Sequence, residues 1–215
     1  MLFDLDGTLS DSASGILASL RRAFADHGLQ PLTAEQERSI LGPPFTKTLP
    51  RYVAADQVAD VIATYRGYYS ARGMFETSVY PGIPELLSWL HERGVAMAVA
   101  TSKIEPFAVP IVDRLGLTRF VATIGGDDFE ASRDSKALVV GEVLRRLGHP
   151  DPSTVLMVGD RVHDVDGAAA HGVGCLGAGW GYGTPEELSG ALSWHRSPAE
   201  LLATFRCAGP RLRDR

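Results

Sequence analysis

The chain has 215 residues, 45% hydrophobic and 22% charged, an ordinary soluble-globular composition with room for one large domain or a core with a modest insert. Lys and Arg number 21 against 26 Asp and Glu, a net charge of −5 without the basic footprint of a nucleic-acid binder. No apolar run approaches the roughly 18 residues of a membrane span, the start Met1-Leu2-Phe3-Asp4-Leu5-Asp6 is too acidic for a signal peptide, and Cys175 and Cys207 build no disulfide framework, so the expectation is a cytoplasmic protein without nucleic-acid or membrane partners.

A first strand is predicted at 2–6. From 11 to 79 the pattern is helical throughout, with no convincing buried strand. Ile16, Leu17, Leu20 and Phe24 share one face of a helix that Gly28 ends, and Thr33 with Gln36 forms a capping-box signature. Gly42-Pro43-Pro44 breaks the chain, and Val58, Val61, Ile62, Tyr65 and Tyr69 form another helical stripe before Gly73; Tyr65, Tyr68 and Tyr69 read most simply as packing within this insert. After Tyr80-Pro81-Gly82, strands at 95–100, 120–124, 154–158 and 173–176 alternate with helices at 83–93, 104–115, 135–147 and 163–171, several closed by glycine (Gly94, Gly116, Gly148, Gly172). Such alternation predicts a parallel sheet covered on both faces. The expected fold is an α/β, Rossmann-like three-layer core at 1–10 and 80–205, with a helical insert at 11–79 and a mobile tail at 206–215. Gly177, Gly179, Gly181 and Gly183 around Trp180 and Tyr182 read as a flexible loop, since a dinucleotide fingerprint would open a helix.

Ligands of open parallel sheets bind beyond the carboxyl ends of the strands. There the sequence places Asp4 and Asp6, two apart on a strand and so on one face. It also places Thr101-Ser102-Lys103, Arg133-Asp134-Ser135-Lys136 and Gly159-Asp160-Arg161-Val162-His163-Asp164. Clustered carboxylates need a cation, and oxygen-only ligands suit Mg²⁺. A metal beside a lysine and a small hydroxyl suits a phosphate, and a carboxylate next to phosphorus can attack it to give an aspartyl phosphate. No G-x-x-x-x-G-K-[ST] loop or H-R-D and D-F-G set is present. Only three basic residues are lysines, Lys47, Lys103 and Lys136. Lys47, after the Gly42 break, is a substrate-contact candidate if its loop points at the site; Lys103 reads equally as a substrate contact or a solvated loop lysine. His163 reads as an exposed residue at a helix start, and Asp166 as a partner of that helix's dipole.

Asp4-Leu5-Asp6-Gly7-Thr8-Leu9, Thr101, Lys136 and Gly159 through Asp164 resemble, in order and spacing, the four motifs of the haloacid dehalogenase superfamily, over nearly the whole chain. The insert stands where that superfamily's phosphoglycolate-phosphatase-like members carry an α-helical cap. The resemblance implies that Asp4 is the nucleophile and a metal ligand, and that Asp6 is the general acid/base, lending its backbone carbonyl to Mg²⁺. It further implies that Thr101 and Lys136 hold the phosphoryl oxygens with Ser102 beside them, that Asp160 ligates Mg²⁺ directly, and that Asp164 holds a metal-bound water. An Asp at position 6 is similar to the phosphatases and mutases, not the dehalogenases. The implied activity is Mg²⁺-dependent hydrolysis of a small phosphomonoester: a phosphoglycolate-like compound, a sugar phosphate or a nucleoside monophosphate. Three features depart from the pattern: only three residues precede Asp4, the third motif reads Ser132-Arg133-Asp134-Ser135-Lys136, and Gly15 stands where many phosphoglycolate-type members carry a further Asp. Segments 65–73 (YRGYYSARG), 98–103 (AVATSK) and 158–172 (VGDRVHDVDGAAAHG) are similar to mycobacterial tyrosine kinases built on this fold. The alternative expectation is therefore phosphoryl transfer to protein tyrosine, with a tyrosine or phosphotyrosine protein as partner.

Overall fold

Leu2, Ala98, Ala100, Met157 and Cys175 lie in one apolar layer, while their strand neighbours Phe3, Val99, Val158 and Leu176 lie in another. Alternation of this kind, with both sets buried, is what a parallel strand covered on two faces requires. In the computed structural model, which describes residues 1–207, these residues belong to a parallel six-stranded sheet. Its strands are β1 (Leu2–Phe3), then, beyond the two short strands of the insert boundary, β4 (Ala98–Ile104), β5 (Thr123–Asp127), β6 (Leu156–Gly159), β7 (Gly174–Ala178) and β8 (Ser193–His195), in the order β5-β4-β1-β6-β7-β8. Helices α5 (Ile83–His91), α6 (Glu105–Arg114) and α9 (Pro198–Cys207) cover one face; α7 (Lys136–Arg146) and α8 (Val162–Ala169) cover the other. The expected three-layer α/β core is thus present.

Between β1 and α5 lie α1 (Ala13–Asp26), α2 (Ala34–Ile40), α3 (Phe45–Thr48) and α4 (Val58–Ala71). Thr33 and Gln36 cap α2 reciprocally, at 3.3 and 2.8 Å. Ile16, Leu20 and Phe24 of α1 pack with Val61, Tyr65 and Tyr69 of α4, whereas Tyr68 points outward and donates to Asp26 at 2.6 Å. A Cβ on Gly15 would stand 2.0 Å from the Gly73 carbonyl oxygen, so α1 can lie this close to the turn after α4 only without a side chain there.

Two expectations about boundaries need correction. The insert is not helical throughout: β2 (Ser10–Asp11) and β3 (Ser78–Val79) pair antiparallel where the chain leaves and re-enters the core. Two-residue strands carry no readable periodicity. The core strands also begin later than their apolar runs. Gly94 and Gly172 adopt positive φ, and the following Val95 and Val173 donate to Leu90 and Ala168 carbonyls, so those valines close α5 and α8 before the strands start. Strand β8 and α9 extend the core past the predicted elements, and α9 includes Arg206 and Cys207. The rest of the expected tail, 208–215, lies outside the described residues. Among the described residues no helix is long and apolar enough to cross a membrane.

Candidate active site

Strands β4, β1 and β6 are neighbours at the centre of the sheet, so the residues following them converge at one edge. Asp4 follows β1, Asp160 follows β6, and α8 brings Asp164 back toward β6. One carboxylate oxygen from each of Asp4, Asp160 and Asp164 lies within 4.8 Å of the others, and all three residues are buried. Lys136, the first residue of α7, enters the cluster from the side: its Nζ donates to Asp4 Oδ1 at 2.7 Å and to the Ala100 carbonyl at 3.0 Å, and stands 2.7 Å from Asp164 Oδ1.

Asp160 and Asp164 are also held from elsewhere. Asp160 accepts from the Thr8 hydroxyl at 3.3 Å and from the Tyr182 N–H at 2.7 Å. Asp164 Oδ2 accepts from the Arg161 N–H at 3.1 Å, tying it to the N-terminus of α8. Its other oxygen, despite the nearby ammonium, has no aligned donor. Burial pushes Asp4 up to about 7, with Lys136 pulling it down and Asp164 pushing it further up. Burial likewise raises Asp160, reinforced by Asp164. For Lys136 burial opposes the charge, but Asp164 and Asp4 more than offset it and hold the ammonium above its ordinary range. Three buried carboxylates with one lysine among them form an oxygen-only set short of positive charge, which fits a hard divalent cation such as Mg²⁺.

The chain leaves the strand after Phe3, so the period-two argument no longer governs Asp6. Its side chain stands outside the three-acid cluster: Oδ1 accepts from the Ser12 hydroxyl at 2.6 Å and Oδ2 pairs with Lys103 at 2.8 Å. Lys103 is not the solvated lysine that one reading of the sequence allowed. Its side chain is buried, donates to the Tyr69 hydroxyl at 2.7 Å, and so links the last turn of α4 to Asp6. Thr101 is buried midway along β4, where its hydroxyl accepts from the Lys103 N–H at 3.2 Å; Ser102 lines the crevice that holds Lys136. Lys47 lines the same crevice but is half exposed and pairs with Asp134 at 3.1 Å. Gly42 has positive φ and lies against Arg161, while His163 and Asp166 are exposed along the crevice.

The sequence assigns no role to several other residues at this site. Arg161 donates through Nη1 to the Leu41 carbonyl and grips Glu187 with two hydrogen bonds at 2.8 and 3.1 Å, joining the insert to the core. An arginine between two acids of a motif was the available clue; nothing marked Glu187. The glycine-rich loop, expected to be flexible, is packed against Asp160. A Cβ on Gly181 would lie 2.4 Å from Asp160 Cβ, and one on Gly183 only 1.9 Å from the Asp160 carbonyl oxygen. Trp180 and Tyr182 anchor the loop through bonds to the Thr8 carbonyl at 3.0 Å and Asp11 at 3.1 Å. Gly183→Ala should therefore lower stability by about 1–3 kcal/mol, because the clash is with backbone that cannot rotate away. Urea unfolding reads this; an unchanged midpoint would mean that the loop does not sit against Asp160.

A model of the haloacid dehalogenase-like hydrolases matches residues 1–178. Tyrosine-protein kinase PtkA of Mycobacterium tuberculosis is 44% identical over 183 residues, 85% of this chain and 62% of the kinase, so the chain spans less than two thirds of that relative. A 5'-nucleotidase of Pseudomonas aeruginosa is 35% identical over 190 residues, 87% of this chain and 86% of that protein. Among solved structures, a predicted phosphatase from Clostridium acetobutylicum superposes with a TM-score of 0.90 at 33% identity, covering 95% of this chain and 96% of its own.

Proposed function

The chain belongs to the haloacid dehalogenase-like hydrolases, and from that premise we propose that it is a Mg²⁺-dependent phosphatase hydrolysing a small phosphomonoester through an aspartyl phosphate on Asp4. The observation that carries this reading is the buried three-acid cluster in which Asp4 and Asp164 share the single ammonium of Lys136. Asp4, Asp160, Asp164 and the backbone carbonyl of Asp6 would hold Mg²⁺, which when bound supplies the charge that neutralises the carboxylates and the phosphoryl oxygens.

Lys136 fixes one oxygen of Asp4, which orients the carboxylate toward a phosphorus bound above the sheet edge. Asp4 attacks in line, the bond from phosphorus to the leaving oxygen breaks, and Asp6 gives that oxygen a proton. In the second half Asp6 takes a proton from water; the water oxygen bonds to phosphorus, and the bond to Asp4 breaks to release phosphate. Ser12 and Lys103 hold Asp6 in place for both transfers. Thr101, Ser102 and Lys136 bind the phosphoryl oxygens, and the insert, fastened through Arg161, excludes bulk water.

The test is phosphate release from p-nitrophenyl phosphate, phosphoglycolate, a sugar phosphate and a nucleoside monophosphate, the last included because a relative is a 5'-nucleotidase. At least one ester should be hydrolysed with Mg²⁺ and none after EDTA. Adding Mg²⁺ at 100 times its Kd should stabilise the fold by about 2.7 kcal/mol. No release from any ester would overturn the reading. Likeness to a tyrosine kinase favours one second reading, in which a tyrosine hydroxyl replaces water as acceptor. Transfer of labelled γ-phosphate from ATP to a tyrosine peptide, lost in Asp4→Asn, separates the two.

A further inference from the structure

Beside the acidic cluster, between the insert and the end of β4, lies a second cavity of about 110 Å³. Asp6 and Lys103 stand on one side of it, and Phe45, Tyr65, Tyr69 and Phe107 contribute a run of rings to a lining that is otherwise mostly aliphatic. Phe45 meets Tyr65 edge-on at 4.6 Å, Tyr65 stacks on Tyr69 at 5.4 Å, and Tyr69 meets Phe107 edge-on at 5.6 Å. Three of these rings come from the insert and one from α6, so the lining exists only where the two parts meet.

This cavity adjoins the crevice of about 560 Å³ that holds Lys136; the two share Ser102, Pro43 and Pro44 as lining residues. An ester with its phosphoryl group beside Lys136 and its leaving oxygen within reach of Asp6 therefore directs its leaving group into the aromatic cavity. On the phosphatase reading above, we infer that the substrate class is a phosphomonoester whose leaving group carries a single six-membered aromatic ring. The volume is of the order of the roughly 150 Å³ apolar cavity known to take benzene. Ring faces and edges in series favour an aromatic guest over a saturated one of equal size, through stacked and edge-to-face contacts.

The experiment is calorimetric titration of the Mg²⁺-loaded full chain with benzylphosphonate and with cyclohexylmethylphosphonate, which match in charge and nearly in size. Benzylphosphonate should bind at least fivefold more tightly, and the preference should drop below twofold in Tyr65→Leu. Equal affinities in the unsubstituted chain, or binding of neither, would overturn the inference, whatever the variant does. Phosphate release is scored separately. Hydrolysis without a ring preference overturns only the aromatic assignment, whereas a ring preference without hydrolysis of any ester overturns the phosphatase reading and leaves the cavity's assignment standing.

Discussion

Asp4→Asn should lose on the order of 10³-fold or more in kcat while remaining folded. The substitution keeps the shape of the side chain and its place beside Lys136 but removes the nucleophilic carboxylate, and loss of a covalent nucleophile is among the largest single effects an enzyme shows. Stability should move the other way. Burial and Asp164 both disfavour a charged Asp4, so without metal a neutral amide relieves part of that conflict. Lys136 keeps Asp164 as a partner at 2.7 Å, and its ammonium is not stranded. The metal-free variant should therefore melt no lower than the parent, whereas Mg²⁺ should stabilise it less, because one ligand has lost its charge. Phosphate release with and without Mg²⁺, alongside thermal unfolding, reads both halves. Near-normal Mg²⁺-dependent turnover would remove Asp4 from the nucleophile's role.

What could be read from the sequence at this site was local. A strand end and the residue after it are contiguous, so Asp4, Asp160 and the end of β4 could be grouped by the rule that parallel sheets bind at their carboxyl edge. Lys136 could be added because a cation in the first turn opposes the helix dipole and needs another reason to be there. What stayed hidden depends on chain segments far apart. The burial of Lys103 follows from a tyrosine hydroxyl 34 residues earlier, on α4. The Arg161 bond to Leu41 spans 120 residues, and Tyr182 reaches Asp160 from the loop after β7. Gly181 and Gly183 repeat at a spacing that a flexible loop would also show; only the approach of Asp160 reveals why no side chain is tolerated. The fold was lost in the same places. β8 is a three-residue edge strand with two exposed members, so it has no apolar run to detect.

Lys136→Met should produce the largest loss of stability of any single substitution at the site. Met preserves the unbranched stem that packs against α8, where a Cβ on Gly167 would lie 2.6 Å from Lys136 Cγ, so the change removes charge and little volume. It strips the buried carboxylates of Asp4 and Asp164 of their ammonium, and leaving buried charge uncompensated costs about 3–5 kcal/mol. Asp4 can escape part of that cost by taking up a proton, which makes the loss depend on pH. Asp4 already sits near 7 in the folded chain against 3.8 ordinarily, so between those values the folded state binds more protons than the unfolded one. Stability then falls as pH rises through that window. Removing Lys136 raises the folded value further and extends the fall to higher pH. In metal-free buffer the variant should melt roughly 10 °C below the parent at pH 8, from about 2–4 °C per kcal/mol at this chain length. The gap should narrow at pH 5.5, where Asp4 is more fully protonated. Mg²⁺ should recover more stability at pH 8 in the variant than in the parent, because it supplies the missing charge, yet turnover should stay at least about 100-fold down, since the donor to the phosphoryl oxygens is gone. A pH-independent gap would mean that Lys136 is not what compensates the charge on Asp4.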